Sequence, residues 1–116
     1  MKSLTEEDIK KYQNDGFLLL KNLFNKEEME PINKSIEKFS RMAPDSWELG
    51  KEMAYYETDT KNENERILCR IERYVDYHQE FKKLANSEKI LNPLEDLMGG
   101  PCILFKDKIN FKRPNG

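Results

Sequence analysis

Apolar residues recur along this chain at two spacings, and the change from one to the other marks the predicted elements. In residues 3–16, SLTEEDIKKYQNDG, Ile9 and Tyr12 share a helical face. Thr5 is a ready N-cap, Asp8 stands at the third position of a capping box, and Gly16 is a natural stop. Residues 17–24, FLLLKNLF, are apolar on both sides and predict a short buried strand. Residues 25–42 give the clearest helix: Met29, Ile32, Ile36 and Phe39 fall on one stripe, Asn25 and Glu28 form a second capping box, and Pro31 lies in the first two turns, where it disrupts least.

The pattern then loosens. Residues 43–64 carry Pro44, Gly50 and a polar run, and predict a long surface excursion with one short strand at 53–57. Residues 66–74, RILCRIERY, alternate, with Ile67, Cys69 and Ile71 facing one way and Leu68, Arg70 and Glu72 the other. Two short helices follow, one capped by Asp76, the other capped by Ser87, bent or split by Pro93 and ended by Gly99 and Gly100. The last strand is predicted over residues 102–112, with Ile103, Phe105, Ile109 and Phe111 on one face and Leu104, Lys106, Lys108, Asn110 and Lys112 on the other. The chain stops on Asn115-Gly116, a turn signal that normally leads into another strand. Helices mixed with strands predict an α+β fold over residues 1–116, as a single domain or a fragment.

Composition sharpens this picture. The 116 residues suffice for one domain, yet 37% are apolar and 36% charged, a light core for a free-standing fold. Twenty basic and 22 acidic residues are interspersed, net charge −2, which argues against a nucleic-acid partner. The longest uninterrupted apolar run is FLLL, too short for a membrane span, and the first residues lack the apolar core of a secretory signal. Cys69 and Cys102 read as buried free thiols in a reducing cytoplasm.

Candidate chemistry is sparse. His78 is the only histidine and reads as a solvated surface side chain. Zinc would require Cys69, Cys102 and His78 to converge without any C-x-x-C or H-x-x-H pair, and a non-haem iron site needs two histidines and a carboxylate. No nucleophile elbow or P-loop is present. The acidic clusters sit at helix starts, where the dipole stabilises them, or in the polar excursion. Two features stand out. Arg70, within an apolar alternating strand, is either on a wet face or buried and paired with Glu72 or another carboxylate. Lys106, Lys108, Asn110 and Lys112 share one strand face, either solvated or lining a cavity for an anionic ligand.

In order and spacing, LTEEDIKKYQNDGFLLLKNLFNKEEMEPI, RILCRIERYVDYHQEFKKLANSEKIL and LEDLMGGPCILFKDKINFKRPNG resemble the N-terminal part of the phytanoyl-CoA dioxygenase family. The resemblance covers nearly the whole chain and is weakest over residues 43–64. It implies an Fe(II)- and 2-oxoglutarate-dependent oxygenase on a double-stranded β-helix (jelly-roll, cupin-like), acting on a small-molecule substrate. It also implies that the iron ligands, an H-x-D motif and a later His, lie beyond Gly116, so this chain by itself is expected to be inactive and to bind neither cofactor tightly. By the same resemblance Asn110 faces the cosubstrate, Lys106 faces substrate or cosubstrate, as a candidate cofactor-binding residue, and Arg70 borders the substrate pocket. KRPNG departs from the family's more glycine-rich turn. On this reading the sheet is incomplete in this chain, and its last strand is expected to expose an unpaired edge that makes the fragment prone to self-association. The alternatives are a non-catalytic binding or scaffolding module derived from that family and an unrelated small α+β domain.

Overall fold

The computed structural model describes residues 2–59, 61 and 65–112. Along them run α1 (Glu6–Asp15), α2 (Lys26–Ser40), β1 (Met53–Thr58), β2 (Arg66–Glu72), α3 (Gln79–Ala85), α4 (Glu88–Met98) and β3 (Lys108–Asn110), with single 3-10 turns at Pro44–Ser46 and Val75–Tyr77. The turn signal at Asn115-Gly116 lies outside the described residues.

Local chemistry sets the helix starts. The Asp8 amide donates to Thr5 Oγ1 and the Thr5 amide to Asp8 Oδ2, both at 3.1 Å, while Asn25 and Glu28 make the same exchange at 2.8 and 3.0 Å. Gly16 and Gly99 close α1 and α4 in the left-handed region, φ 81° and 78°. Pro31 and Pro93 each stand sixth in their helix, and neither splits it; the Pro93 ring is buried.

The three strands pair antiparallel in the order β1-β2-β3. Tyr55 lies opposite Arg70 but Tyr56 opposite Leu68, so Cys69 is an extra residue, a bulge. That extra residue changes the phase of β2. Leu68, expected on the same face as Arg70 and Glu72, is buried beside Ile71 in the core. The bulge is bonded on both sides: the Cys69 thiol donates to the Tyr55 carbonyl at 3.2 Å, and the Cys69 carbonyl accepts from the Phe111 amide at 2.9 Å.

One face of the sheet packs on α2 and α3 to form the core of Ile32, Phe39, Leu68, Ile71, Tyr74, Val75 and Phe81. Phe39 is its hub, with ring centroids of Trp47, His78 and Phe81 at 5.5, 4.9 and 5.9 Å. The 43–64 excursion is pinned rather than loose at its start: Trp47 Nε1 donates to the Tyr56 hydroxyl, which donates to the Met42 carbonyl, each at 2.7 Å. The N-terminus is clamped to α4, where the Asp96 carboxylate accepts from the amides of Lys2, Ser3 and Leu4 at 2.6, 2.8 and 2.8 Å.

Several expectations are overturned. Residues 17–24 hold no strand, and Phe17 and Leu19 are 64% and 69% exposed. A strand exists only as one side of a ladder, and none of the described strands runs beside this segment. The last strand shrinks to Lys108–Asn110 for the same reason. Ile109 and Phe111 do reach the core, while Ile103 and Phe105 are each 93% exposed. Asp76 does not cap α3; it sits in the 3-10 turn, and His78 occupies the cap position without a side-chain bond. Ser87 stands at the start of α4, but its hydroxyl donates back to the Leu84 carbonyl. His78 is not a solvated surface residue: it meets Phe39 edge-on, with Nε2 3.3 Å from Glu52 Oε1. Cys69 and Cys102 are free, as expected, but half-buried.

Candidate functional site

The second face of the sheet carries its polar residues. Register across the three strands sets Tyr55, Arg70 and Asn110 in one row and Met53, Glu72 and Lys108 in the next. The Arg70 guanidinium carbon lies 4.2 Å from the centroid of the Tyr55 ring, a cation–π contact. Arg70 Nε is 3.6 Å from Glu72 Oε1, too far for a hydrogen bond, and the Tyr55 hydroxyl donates to Glu72 Oε2 at 3.3 Å. Arg70 thus takes both of the roles its sequence context left open: paired, and still partly exposed. Its Nε is buried without a hydrogen-bond partner among the described residues.

Asn110 is exposed in β3, directly opposite Arg70. Lys106 lies two residues before the ladder begins, exposed, with no hydrogen bond or ion pair to any described residue. The structure therefore brings Arg70 and Asn110 together and leaves Lys106 outside the ladder. Sequence reasoning missed Tyr55, the aromatic support beneath Arg70. Its only signal was its place in the short β1 segment, and its pairing partner depended on a bulge no local pattern displays.

Two other clusters serve the core. Asp107 Oδ2 accepts from the amides of Tyr74 at 2.7 Å and Val75 at 2.8 Å, tying β3 to the turn after β2. Burial, with the Asp107 charge beside it, holds the Tyr74 phenol above its ordinary range. His78 lies between Glu52 and Glu80, its Nδ1 3.9 Å from Glu80 Oε1, which accepts from the Ser35 hydroxyl at 2.7 Å. Burial pushes the Glu80 carboxyl up. The Ser35 bond, a backbone bond and the charges of His78 and Lys38 outweigh that and hold it below the usual range. A cleft of about 480 Å³ between α2 and α3, lined by Phe24, Pro31, Ile32 and Leu84, offers apolar surface away from the open sheet face. Among the described residues no three His, Cys, Asp or Glu side chains are grouped to hold a metal ion, and no helix is long and apolar enough to cross a membrane.

With this geometry in view, the chain is similar along its whole length to proteins named as dioxygenases. It is 36% identical to the 2-aminoethylphosphonate dioxygenase of Uncultured bacterium HF130_AEPn_1, with 100% of this chain and 43% of that protein aligned. It is 30% identical to Dioxygenase lolE1 of Epichloe uncinata, over 97% of this chain and 43% of the relative. It is 28% identical to a probable alpha-ketoglutarate-dependent hypophosphite dioxygenase of Stutzerimonas stutzeri, over 95% of this chain and 38% of the relative. The chain thus spans less than half the length of these curated relatives. No protein-family profile matches it, and no solved structure is significantly similar.

Proposed function

We propose that this chain is the N-terminal portion of an Fe(II)- and 2-oxoglutarate-dependent oxygenase of the phytanoyl-CoA dioxygenase type. In this reading its sheet belongs to a double-stranded β-helix and its helices cover the outer face. The observation that carries the reading is whole-chain similarity to a named dioxygenase at 36% identity. An alpha-ketoglutarate-dependent relative supports the choice of cosubstrate.

Iron(II) in such enzymes takes two imidazoles and a carboxylate, and His78, the single imidazole here, is engaged with Phe39 and Glu52. These residues do not fit the metal. The open face fits carboxylate ligands better: an amide at Asn110, an ammonium at Lys106 and a guanidinium at Arg70 are all donors. In the proposed enzyme Asn110 and Lys106 face 2-oxoglutarate and Arg70 faces substrate. The overall reaction joins one oxygen atom of O2 to a substrate C–H bond and the other to succinate, with release of CO2. Two of the relatives are named for phosphorus oxyanions, which makes a small oxyanion the substrate class in its broadest form.

The test supplies Fe(II), 2-oxoglutarate and 2-aminoethylphosphonate to this chain and to a chain extended to the relatives' length, and follows succinate. The extended chain should produce it and the 116-residue chain should not. Coding sequence that runs into a stop codon after Gly116 would favour the scaffolding alternative.

A further inference from the structure

We infer that Arg70 is the oxyanion receptor of the open sheet face, with Tyr55 as its positioning residue and Glu72 as the internal placeholder that a ligand displaces. A guanidinium binds best to a ligand with two oxygens in its plane, because its N–H donors form a rigid fork. Here that fork is oriented but unspent. The Tyr55 ring, 4.2 Å away, supports one face. Among the described residues the one carboxylate paired with it, Glu72, stands 3.6 Å from Nε without closing a hydrogen bond and is already an acceptor for the Tyr55 hydroxyl. The buried Nε has no hydrogen-bond partner among the described residues, and Arg70 donates no hydrogen bond to any of them.

A buried donor left unpaired is costly, so such a donor marks a place that a ligand or an adjoining segment completes. The surroundings favour an anion. Asn110 lies opposite Arg70 in the ladder and Lys108 opposite Glu72, while Lys106 and Lys112 stand exposed at alternate positions on either side of β3. The bulge at Cys69 sits immediately beside Arg70 in sequence, where an extra residue re-aims the neighbouring side chain. A lysine here could supply the charge but not the planar fork, and only a planar group stacks on Tyr55 as the guanidinium does.

The ligand class is a small oxyanion that presents two oxygens to the fork. We assign it to the substrate, as a phosphonate, rather than to a 2-oxoglutarate carboxylate. That assignment rests on the oxygenase reading; the receptor itself does not.

The experiment observes the Arg70 Nε–Hε resonance of the isotope-labelled 116-residue chain during titration with methylphosphonate, with 2-oxoglutarate, and with sodium chloride at matched ionic strength. Methylphosphonate should shift the signal saturably and chloride should not. Because Arg70→Lys removes the observed resonance, the backbone amide of Asn110 serves as the second reporter for every variant. Arg70→Lys and Arg70→Gln should each weaken binding by about tenfold or more. Tyr55→Leu, which removes the ring that supports the guanidinium, should weaken binding several-fold. Glu72→Gln, which removes the competing charge, should tighten it. Circular dichroism establishes that each variant is folded.

A linear response equal to that of chloride, or folded Arg70→Lys binding like wild type, overturns the receptor. A response to 2-oxoglutarate but not to methylphosphonate overturns the assignment to substrate. Saturable methylphosphonate binding through Arg70, combined with an extended chain that forms no succinate, leaves the receptor standing and removes the oxygenase reading.

Discussion

Replacing Asp107 with alanine tests how the last strand is held, and through it the site. Only three residues of β3 are in the ladder, so its position depends on what lies at its ends. At one end the Phe111 amide reaches the Cys69 carbonyl; at the other a single carboxylate oxygen accepts from two amides, those of Tyr74 and Val75. Both of those residues are buried, at 8% and 6% exposure, so water replaces the lost oxygen poorly. An unsatisfied buried amide costs about 1–3 kcal/mol, and two sharing a partly hydrated site should together cost about 2–4 kcal/mol. Asp107→Asn keeps an acceptor oxygen of the same reach and loses only the charge, so it should cost about 1 kcal/mol. For a domain of this length roughly 4 °C of melting temperature accompanies each kcal/mol, which gives a drop of about 8–16 °C for the alanine variant. Urea unfolding followed by circular dichroism measures the free energy directly, with an unchanged slope as the control for the denatured state. Anion response at Arg70 should fall in the same variant, because Asn110 moves with the strand. Alanine within about 0.5 kcal/mol of wild type, or asparagine as damaging as alanine, would refute the argument, since both would mean that the two amides do not depend on this oxygen.

Further expectations concern other parts of the molecule. Ile71→Ala should destabilise by about 2–5 kcal/mol in the same urea titration, because Ile71 is fully buried at 0% exposure. Leu19→Ser, at a position 69% exposed, should leave the midpoint nearly unchanged. Three backbone bonds, from Leu4, Lys2 and Ser3, hold the Asp96 carboxyl down from an ordinary 3.8 to about 2. A depressed carboxylate stabilises the fold above its unfolded value and loses that contribution as pH falls through the folded one. Hydrogen exchange at the amides of residues 2–4 should therefore accelerate as pH is lowered from about 4 to 2, relative to the amides of α1, and Asp96→Asn should remove that transition. Finally, the exposed outer edge of β1 and the exposed Ile103–Phe105 side chains should drive concentration-dependent association, visible by sedimentation velocity and reduced in Phe105→Lys.

The sequence by itself determined the interactions that close within four residues. The capping boxes at Thr5–Asp8 and Asn25–Glu28, the glycine stops at Gly16 and Gly99, the stripe of Ile32 and Phe39, and the positions of β1 and β2 all depend on neighbours a turn or a pleat away, and all were legible. Of the site, Arg70 and Asn110 could be named as polar residues on strand faces, but their adjacency could not. Only the tertiary structure decided what depends on distant partners. The bulge at Cys69 comes from how β2 meets β1, and it moved Leu68 into the core and set Arg70 over Tyr55. Asp107 found its amides 32 and 33 residues away, and His78 was enclosed by Phe39 and Glu52. Residues 17–24 and 102–107 have the composition of strands but lack a described partner to pair with. The physical reason is common to all of these cases: a capping bond is completed inside its own segment, whereas a ladder or a burial site exists only when another part of the chain supplies its second half.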